Sequence, residues 1–284
     1  MQIRGKSDAA LFNTVRIVCR TKNNSEGYGT GFYLLDDRVD KQIPFLVSNK
    51  HVVQIPDLAS AELRFNLADN NDLNQPLLGR THGLIFDDVT WNSRWFGHPD
   101  PNVDVAVMPL DGVAAQIHAA TGHRPHAALT RVSDVPSAEQ EKTFSSQEPV
   151  TFVGYPNNVW DEVHNLPIAR RGHTATPIFV DFNGQSKFLI DASVFGGSSG
   201  SPVLIMDGSH VDSDGILVAE QRFYFVGVVS SVYYRRDQYS VYPAPVPTVL
   251  GLATTTDQMV DIGVVQKART VIETIDAGRK ARAF

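Results

Sequence analysis

The turn Gly196-Gly197-Ser198-Ser199-Gly200-Ser201-Pro202 suits acyl transfer. A serine hydroxyl that attacks a carbonyl needs a tight, exposed turn, with backbone N–H groups facing the oxyanion that develops. Gly197 lets the backbone approach a substrate with no side chain in the way. The N–H groups of Gly197 and Ser199 would form the oxyanion hole. Gly200 clears space behind the nucleophile, and Pro202 opens the next strand. By itself, the same run also reads as a Gly/Ser-rich surface turn.

A serine hydroxyl is a weak nucleophile and needs a base. His51 follows the apolar run Phe45-Leu46-Val47, with Gly29-Thr30-Gly31-Phe32 upstream as a close-packed strand pattern. Taken alone, a histidine in that place is more often structural. His82, His98, His118, His123, His126, His164, His173 and His210 have no comparable surroundings. The base in turn needs a carboxylate that holds its tautomer. Asp104 lies in Val103-Asp104-Val105-Ala106-Val107-Met108, where an unpaired charge would be costly. An edge-strand Asp beside a loop is the competing reading. The three signals together, in the order His51, Asp104, Ser199, outweigh any one of them.

The elements that must position these residues read as short strands between turns. Candidates are 14–20, 29–35, 45–48, 61–66, 103–110, 150–153, 177–181, 187–191, 201–205 and 223–230. Asn183-Gly184 is a hairpin signal between two of them. Strands do not alternate regularly with long helices, so the expected class is all-β, as antiparallel barrels or sandwiches. The segment 121–148, rich in Pro, Ser, Gln and charge, is the expected connection between two halves. A terminal helix is expected from Val264, Val265, Ala268, Val271, Ile272 and Ile275, with Asp261 as its cap and Gly278 at its end.

Composition narrows the function. With 25 basic and 31 acidic residues the net charge is −6, which argues against a general binder of nucleic acid or anionic membranes. No apolar stretch approaches the roughly 20 residues that span a bilayer. The first residues lack an apolar signal core, so a cytoplasmic protein is expected. The single cysteine, Cys19, can form no intrachain disulfide and reads as a buried strand residue. Asp207, Asp212 and Asp214 with Gly215 do not match a calcium loop and read as a hydrophilic hairpin. No metal or other cofactor is expected.

On these residues the sequence resembles the trypsin-like (chymotrypsin-fold) serine peptidases. The nearest resemblance is to the bacterial branch that includes HtrA proteases and glutamyl endopeptidases. Ser48-Asn49-Lys50-His51-Val52-Val53 is similar to that branch's T-N-x-H-V-V, and Asp104-Val105-Ala106-Val107 to its D-x-A-V. Residues 191–202 are similar to its D-A-x-x-x-x-G-N-S-G-[GS]-P, departing at Ser198. The resemblance implies two six-stranded antiparallel barrels with a C-terminal helix. Residues 10–128 would carry His51 and Asp104, and residues 145–284 would carry Ser199 and the helix, with no room for a separate peptide-binding PDZ domain. It implies a serine endopeptidase acting on protein or peptide substrates, with a regulatory protein partner as a further expectation. Ser230 matches the serine that hydrogen-bonds the triad aspartate, and Ser231 and Val232 would lie beside the peptide. Ser193 and Val194 align with the base and wall of the primary pocket, with Val229 and Val232 flanking it. No acid stands at the pocket base, so apolar residues before the cut bond are expected. Tyr233, Tyr234, Arg235 and Arg236 would rim the cleft or form an exposed loop. Ser198 cannot pair with a newly cut N-terminus. Two other readings stay open: a peptide-binding module of this fold with low turnover, and an esterase using the same triad.

Overall fold

Runs of valine, isoleucine, leucine and phenylalanine alternating with polar residues give this chain its strands, since branched and aromatic side chains suit a half-buried pleat. The computed structural model describes residues 2–40, 42–211, 215–219, 221–240, 253–281 and 283–284; at 210–211, 234–240 and 253–259 it describes the backbone. The first half holds β1 (Thr14–Thr21), β2 (Glu26–Leu35), β3 (Pro44–Ser48), β4 (Leu58–Ala68), β5 (Pro76–Asp87), β6 (Phe96–Gly97), β7 (Ala106–Pro109), β8 (Pro125–His126) and β9 (Thr130–Arg131). They hydrogen-bond in the order β5-β4-β1-β2-β3-β7-β6, with β8 added to β4 and β9 to β2. The expected six strands are present as the longer members. Three two-residue strands, β6, β8 and β9, extend the sheet, and β9 runs parallel to β2.

The second half holds β10 (Pro149–Gly154), β11 (Ile168–Thr174), β12 (Lys187–Asp191), β13 (Pro202–Asp207), β14 (His210–Val211), β15 (Leu217–Val218), β16 (Arg222–Ser240) and β17 (Ala253–Lys267). Six of these close a barrel in the order β10-β11-β12-β17-β16-β13. The fold is thus mostly β with a C-terminal helix, Ala268–Lys280, in the chymotrypsin-like arrangement expected. Among the described residues no helix is long and apolar enough to cross a membrane.

Each half has its own core, and a third core joins them. Phe32, Phe45, Val105 and Val107 of the first half pack with Val153, Phe225 and Val228 of the barrel and Val271 and Ile275 of the helix. The rings of Phe32 and Phe225 lie 5.1 Å apart. This shared core fixes the crevice between the halves.

Several expectations need correction. Val264 and Val265 belong to β17, where they face Leu189 and Phe188 of β12; barrel closure claims them before the helix starts. Asp261 therefore lies within that strand, and Lys267 stands at the helix N-cap. Gly278 lies inside the helix, beneath the ring of Phe284. Residues 177–181 form a turn closed by Val180 N–H on the Pro177 carbonyl at 3.2 Å, with Phe179 and Val180 half exposed. Asn183-Gly184 accordingly ends a 3₁₀ turn instead of a hairpin. Strand β7 starts at Ala106, leaving 103–105 as loop. Asp212 and Asp214 lie outside the described residues, as do the side chains of Tyr234, Arg235 and Arg236; β14 and β15 pair antiparallel. Cys19 is buried as expected, and burial pushes its thiol up to about 12, which makes it unreactive.

The helix is tied to the first half by Asp36, whose side chain is 0% exposed between Arg38 at 2.8 Å and Arg279 at 2.5 Å. Burial pushes this carboxyl up. The hydrogen bonds and charge of Arg38 and the charge of Arg279 outweigh that and hold it down at about 2. A depressed folded value means stabilisation that is full above the ordinary carboxylate range and lost as pH falls through the folded one. Asp36→Asn is expected to cost about 3 kcal/mol near neutrality, because it leaves Arg279 beside a buried neutral group and Arg38 with Asp276 as its remaining carboxylate. Thermal unfolding should show the wild type losing this advantage between about pH 4 and pH 2. An equal shift of both proteins over that range would refute it.

Candidate active site

Strand β3 delivers His51. It ends at Ser48, and Asn49, with extended φ/ψ of −91° and 150°, turns the chain into the single helical turn Lys50–Val53. Val52 and Val53 are buried and anchor that turn, while the imidazole is half exposed. The Asn49 side chain is fully buried and donates to the Asp104 carbonyl at 2.6 Å. Asp104 sits just before β7, which pairs with β3 through Ser48 and Ala106. Neighbouring strands thus bring together two residues far apart in sequence.

Both Asp104 oxygens serve His51. Oδ2 lies 2.6 Å from His51 Nδ1, and Oδ1 accepts the His51 backbone N–H at 3.1 Å. Ser230 Oγ donates to Oδ2 at 2.9 Å. Burial pushes the Asp104 carboxyl up, but the hydrogen bonds and charge of His51 and the Ser230 hydroxyl outweigh it. The group is held below the usual carboxylate range and stays ionised at neutral pH. Ser230 reaches it because β16 shifts register between Val229 and Ser231; such a bulge bends a strand and re-aims a side chain.

Ser199 lies in the turn between β12 and β13. That turn is laced to the rest of the molecule: Thr30 N–H donates to the Ser199 carbonyl at 2.9 Å, and Gly200 N–H to the Val229 carbonyl at 2.8 Å. Thr30 Oγ1 donates to the Gly197 carbonyl at 2.8 Å. Gly197 and Gly200 have φ of +86° and +87°. A Cβ at Gly200 would meet the Thr30 carbonyl at 1.9 Å, so the residue after Ser199 must be glycine. The backbone N–H groups of Gly197 and Ser199 find no acceptor among the described residues. Two adjacent unpaired donors can receive an oxyanion.

The Ser199 hydroxyl donates to the Ser230 carbonyl at 3.2 Å and makes no hydrogen bond to His51. A rotation about χ1 is the movement between those two partners. A cleft of about 550 Å³ opens beside His51 and Asp104, walled by Ser230, Ser231 and Val232 and lined also by Lys187 and Gln266. Ser193 and Val194 do not line it. Val194 is buried in the barrel core with Ile190 and Val265, and Ser193 is half-buried. Val229 is likewise fully buried. Ser198 is buried with its hydroxyl unpartnered among the described residues.

Thr30, Asn49 and Asn157 were not singled out as site residues by sequence reasoning. Gly29-Thr30-Gly31 signals close packing, and Thr30 holds the turn that carries Ser199. The Asn157-Asn158 pair could have been read as left-handed backbone, which asparagine tolerates.

The profile described as the trypsin-like peptidase domain matches residues 29–211. No curated protein is similar enough to match. Among solved structures, a thermostable serine protease, AL20, from an extremophilic microorganism is similar at 13% identity over 95% of this chain and 98% of that one, with a TM-score of 0.43. HL collagenase is similar at 16% identity over 79% of this chain and 84% of its own, with a TM-score of 0.40. A scabies mite inactivated protease paralogue is similar at 14% identity over 95% of both chains, with a TM-score of 0.42.

Proposed function

The chain belongs to the trypsin-like peptidase family, and on that premise we propose that it is a serine endopeptidase with Ser199 as nucleophile, His51 as general base and Asp104 as the residue that orients the base. The observation that carries this reading is the Asp104 carboxylate. It lies between two buried or nearly buried valines, and each of its oxygens is engaged by His51. With Nδ1–H donated to Asp104, His51 Nε2 is free to accept a proton.

The Ser199 hydroxyl turns from the Ser230 carbonyl to His51 Nε2 and attacks the substrate carbonyl. His51 takes the proton, and the imidazolium is stabilised by Asp104. The oxyanion faces the N–H groups of Gly197 and Ser199. His51 then protonates the leaving amine, leaving an acyl-enzyme, and water repeats the steps in reverse. The substrate backbone adds as a strand along Ser230, Ser231 and Val232, whose outer edge borders the cleft. Apolar residues before the cut bond remain the proposed preference, because the cleft wall of Ser230, Ser231 and Val232 carries no charged side chain.

The hydroxyl's bond to the Ser230 carbonyl is the observation that favours the second reading, a peptide-binding module of low turnover. A library of internally quenched peptides separates the readings. Cleavage at internal amide bonds, with new termini after apolar residues, supports the endopeptidase. Ester hydrolysis without amide cleavage, or binding without turnover, sinks it. Ser230→Ala should lower kcat about 10-fold with little change in KM, since one charge-assisted hydrogen bond to Asp104 is lost. Steady-state kinetics showing unchanged kcat would remove Ser230 from the site.

A further inference from the structure

An oxyanion hole exists only if the peptide between Gly196 and Gly197 faces the right way. A trans peptide points its carbonyl and its N–H in opposite directions. Here the Gly196 carbonyl accepts the Asn157 N–H at 2.5 Å, so the Gly197 N–H faces away from the loop that carries Asn157. That loop must hold an uncommon shape to make the bond. Asn157 and Asn158 both have left-handed backbone, with φ of 48° and 59°.

The loop is clasped from the other half of the molecule. Arg16 on β1 donates Nε to Asn158 Oδ1 at 2.8 Å, and its Nη2 donates to the same oxygen. Its guanidinium lies 3.9 Å from the Trp160 ring centre and 5.1 Å from that of Tyr28. Further along, buried Asn165 donates to Asn66 Oδ1 on β4 at 3.1 Å. Tyr155 N–H also donates to Thr30 Oγ1 on β2 at 3.2 Å, so residues 155–166 form a strap fastened to the first half at Thr30, Arg16 and Asn66. Ser198, buried with an unpartnered hydroxyl, supplies no ion pair to hold the neighbouring turn.

We propose that Arg16 is a positioning residue for the oxyanion hole: by holding Asn158 it keeps the Asn157 N–H on the Gly196 carbonyl, and so keeps the Gly197 N–H turned towards substrate. This rests on the serine-peptidase reading above. The hole then depends on the docking of the two halves, because its orienting cation comes from β1 while its donors come from the barrel.

The test compares wild type with Arg16→Ala, Arg16→Lys, Asn158→Ala and the double variant Arg16→Ala/Asn158→Ala. Active sites are titrated with a fluorophosphonate, so that a loss of folded protein is not read as a loss of rate. Per titrated site, Arg16→Ala should lower kcat by about 30-fold with KM within about twofold, part of the loss seen when an oxyanion donor is removed. Affinity for a peptide boronic acid, which forms a tetrahedral adduct, should fall by the same factor. Arg16→Lys can still stack on Trp160 but has no two-donor fork, and should fall between the two. The double variant should be no worse than the poorer single one, because both act through one contact. Amide hydrogen exchange should quicken at 156–160 and at 195–199 in Arg16→Ala. A kcat per site equal to wild type, a change in KM alone, or unchanged exchange at 195–199 would overturn the proposal. If wild type shows neither turnover nor labelling at Ser199, the peptidase reading fails, and the exchange measurement still decides the clasp.

Discussion

Ser199→Ala is expected to lower kcat for peptide cleavage by roughly 10⁵- to 10⁶-fold while leaving KM within a few-fold of wild type. On the proposed reading its hydroxyl is the attacking group, and neither Ser198 nor Ser230 can take its place. Ser198 is buried, and Ser230 is committed to Asp104. The substitution keeps the Ser199 backbone N–H and the Gly197 N–H, so the proposed oxyanion site survives. It also leaves the Ser230–Val232 edge that the substrate strand would use. Any remaining rate comes from water attacking in a site that still stabilises the oxyanion. Stability should hardly change, because the hydroxyl's one hydrogen bond is to the Ser230 carbonyl on a half-buried surface. Steady-state kinetics with parallel thermal unfolding check both halves of this expectation. A loss of activity that tracks unfolding would count against Ser199 as the nucleophile.

Asp104→Asn is expected to lower kcat by about 10⁴-fold near neutral pH, again with little change in KM. The reason is tautomeric. Asp104 Oδ2 accepts from both His51 Nδ1 and Ser230 Oγ, which fixes the proton on Nδ1. An amide that keeps its oxygen at the Oδ1 place, accepting the His51 backbone N–H, puts its nitrogen at the Oδ2 place, where it donates to Nδ1. That drives the imidazole proton to Nε2, where it faces Ser199 and blocks the base. The backbone N–H of His51, which Asp104 Oδ1 accepts, loses a charged partner as well. A variant of near wild-type rate would mean that His51 needs no orientation, and the assignment of Asp104 would fall.

The candidates Ser199, His51 and Asp104 could be picked out in the sequence because the proposed chemistry imposes local residue types, and the structure sets Asp104 against His51. Glycines surround a serine, an apolar strand precedes the histidine, and a lone carboxylate stands among valines. The strands were legible where apolar residues alternated with polar ones, as in β1, or ran together between turns, as in β3 and β12. Long-range pairing was not. β17 looked like the start of a helix, because Val264 and Val265 fit helical spacing as well as they fit a strand that closes a barrel against β12. Strands β5 and β11 escaped notice, since the adjacent pairs Arg80-Thr81 and Arg170-Arg171 put polar side chains on both faces and hide the alternation. Thr30 and Arg16 act through partners more than 100 positions away, Gly197 and Asn158, and no local pattern announces such contacts.

The most direct test of the central claim is covalent. Wild-type protein is treated with a fluorophosphonate, digested, and mapped by mass spectrometry. The account predicts one adduct, on Ser199, and its loss when His51 is replaced by alanine in a protein that remains folded. An adduct on another residue, or a folded wild type that takes no label, would contradict it.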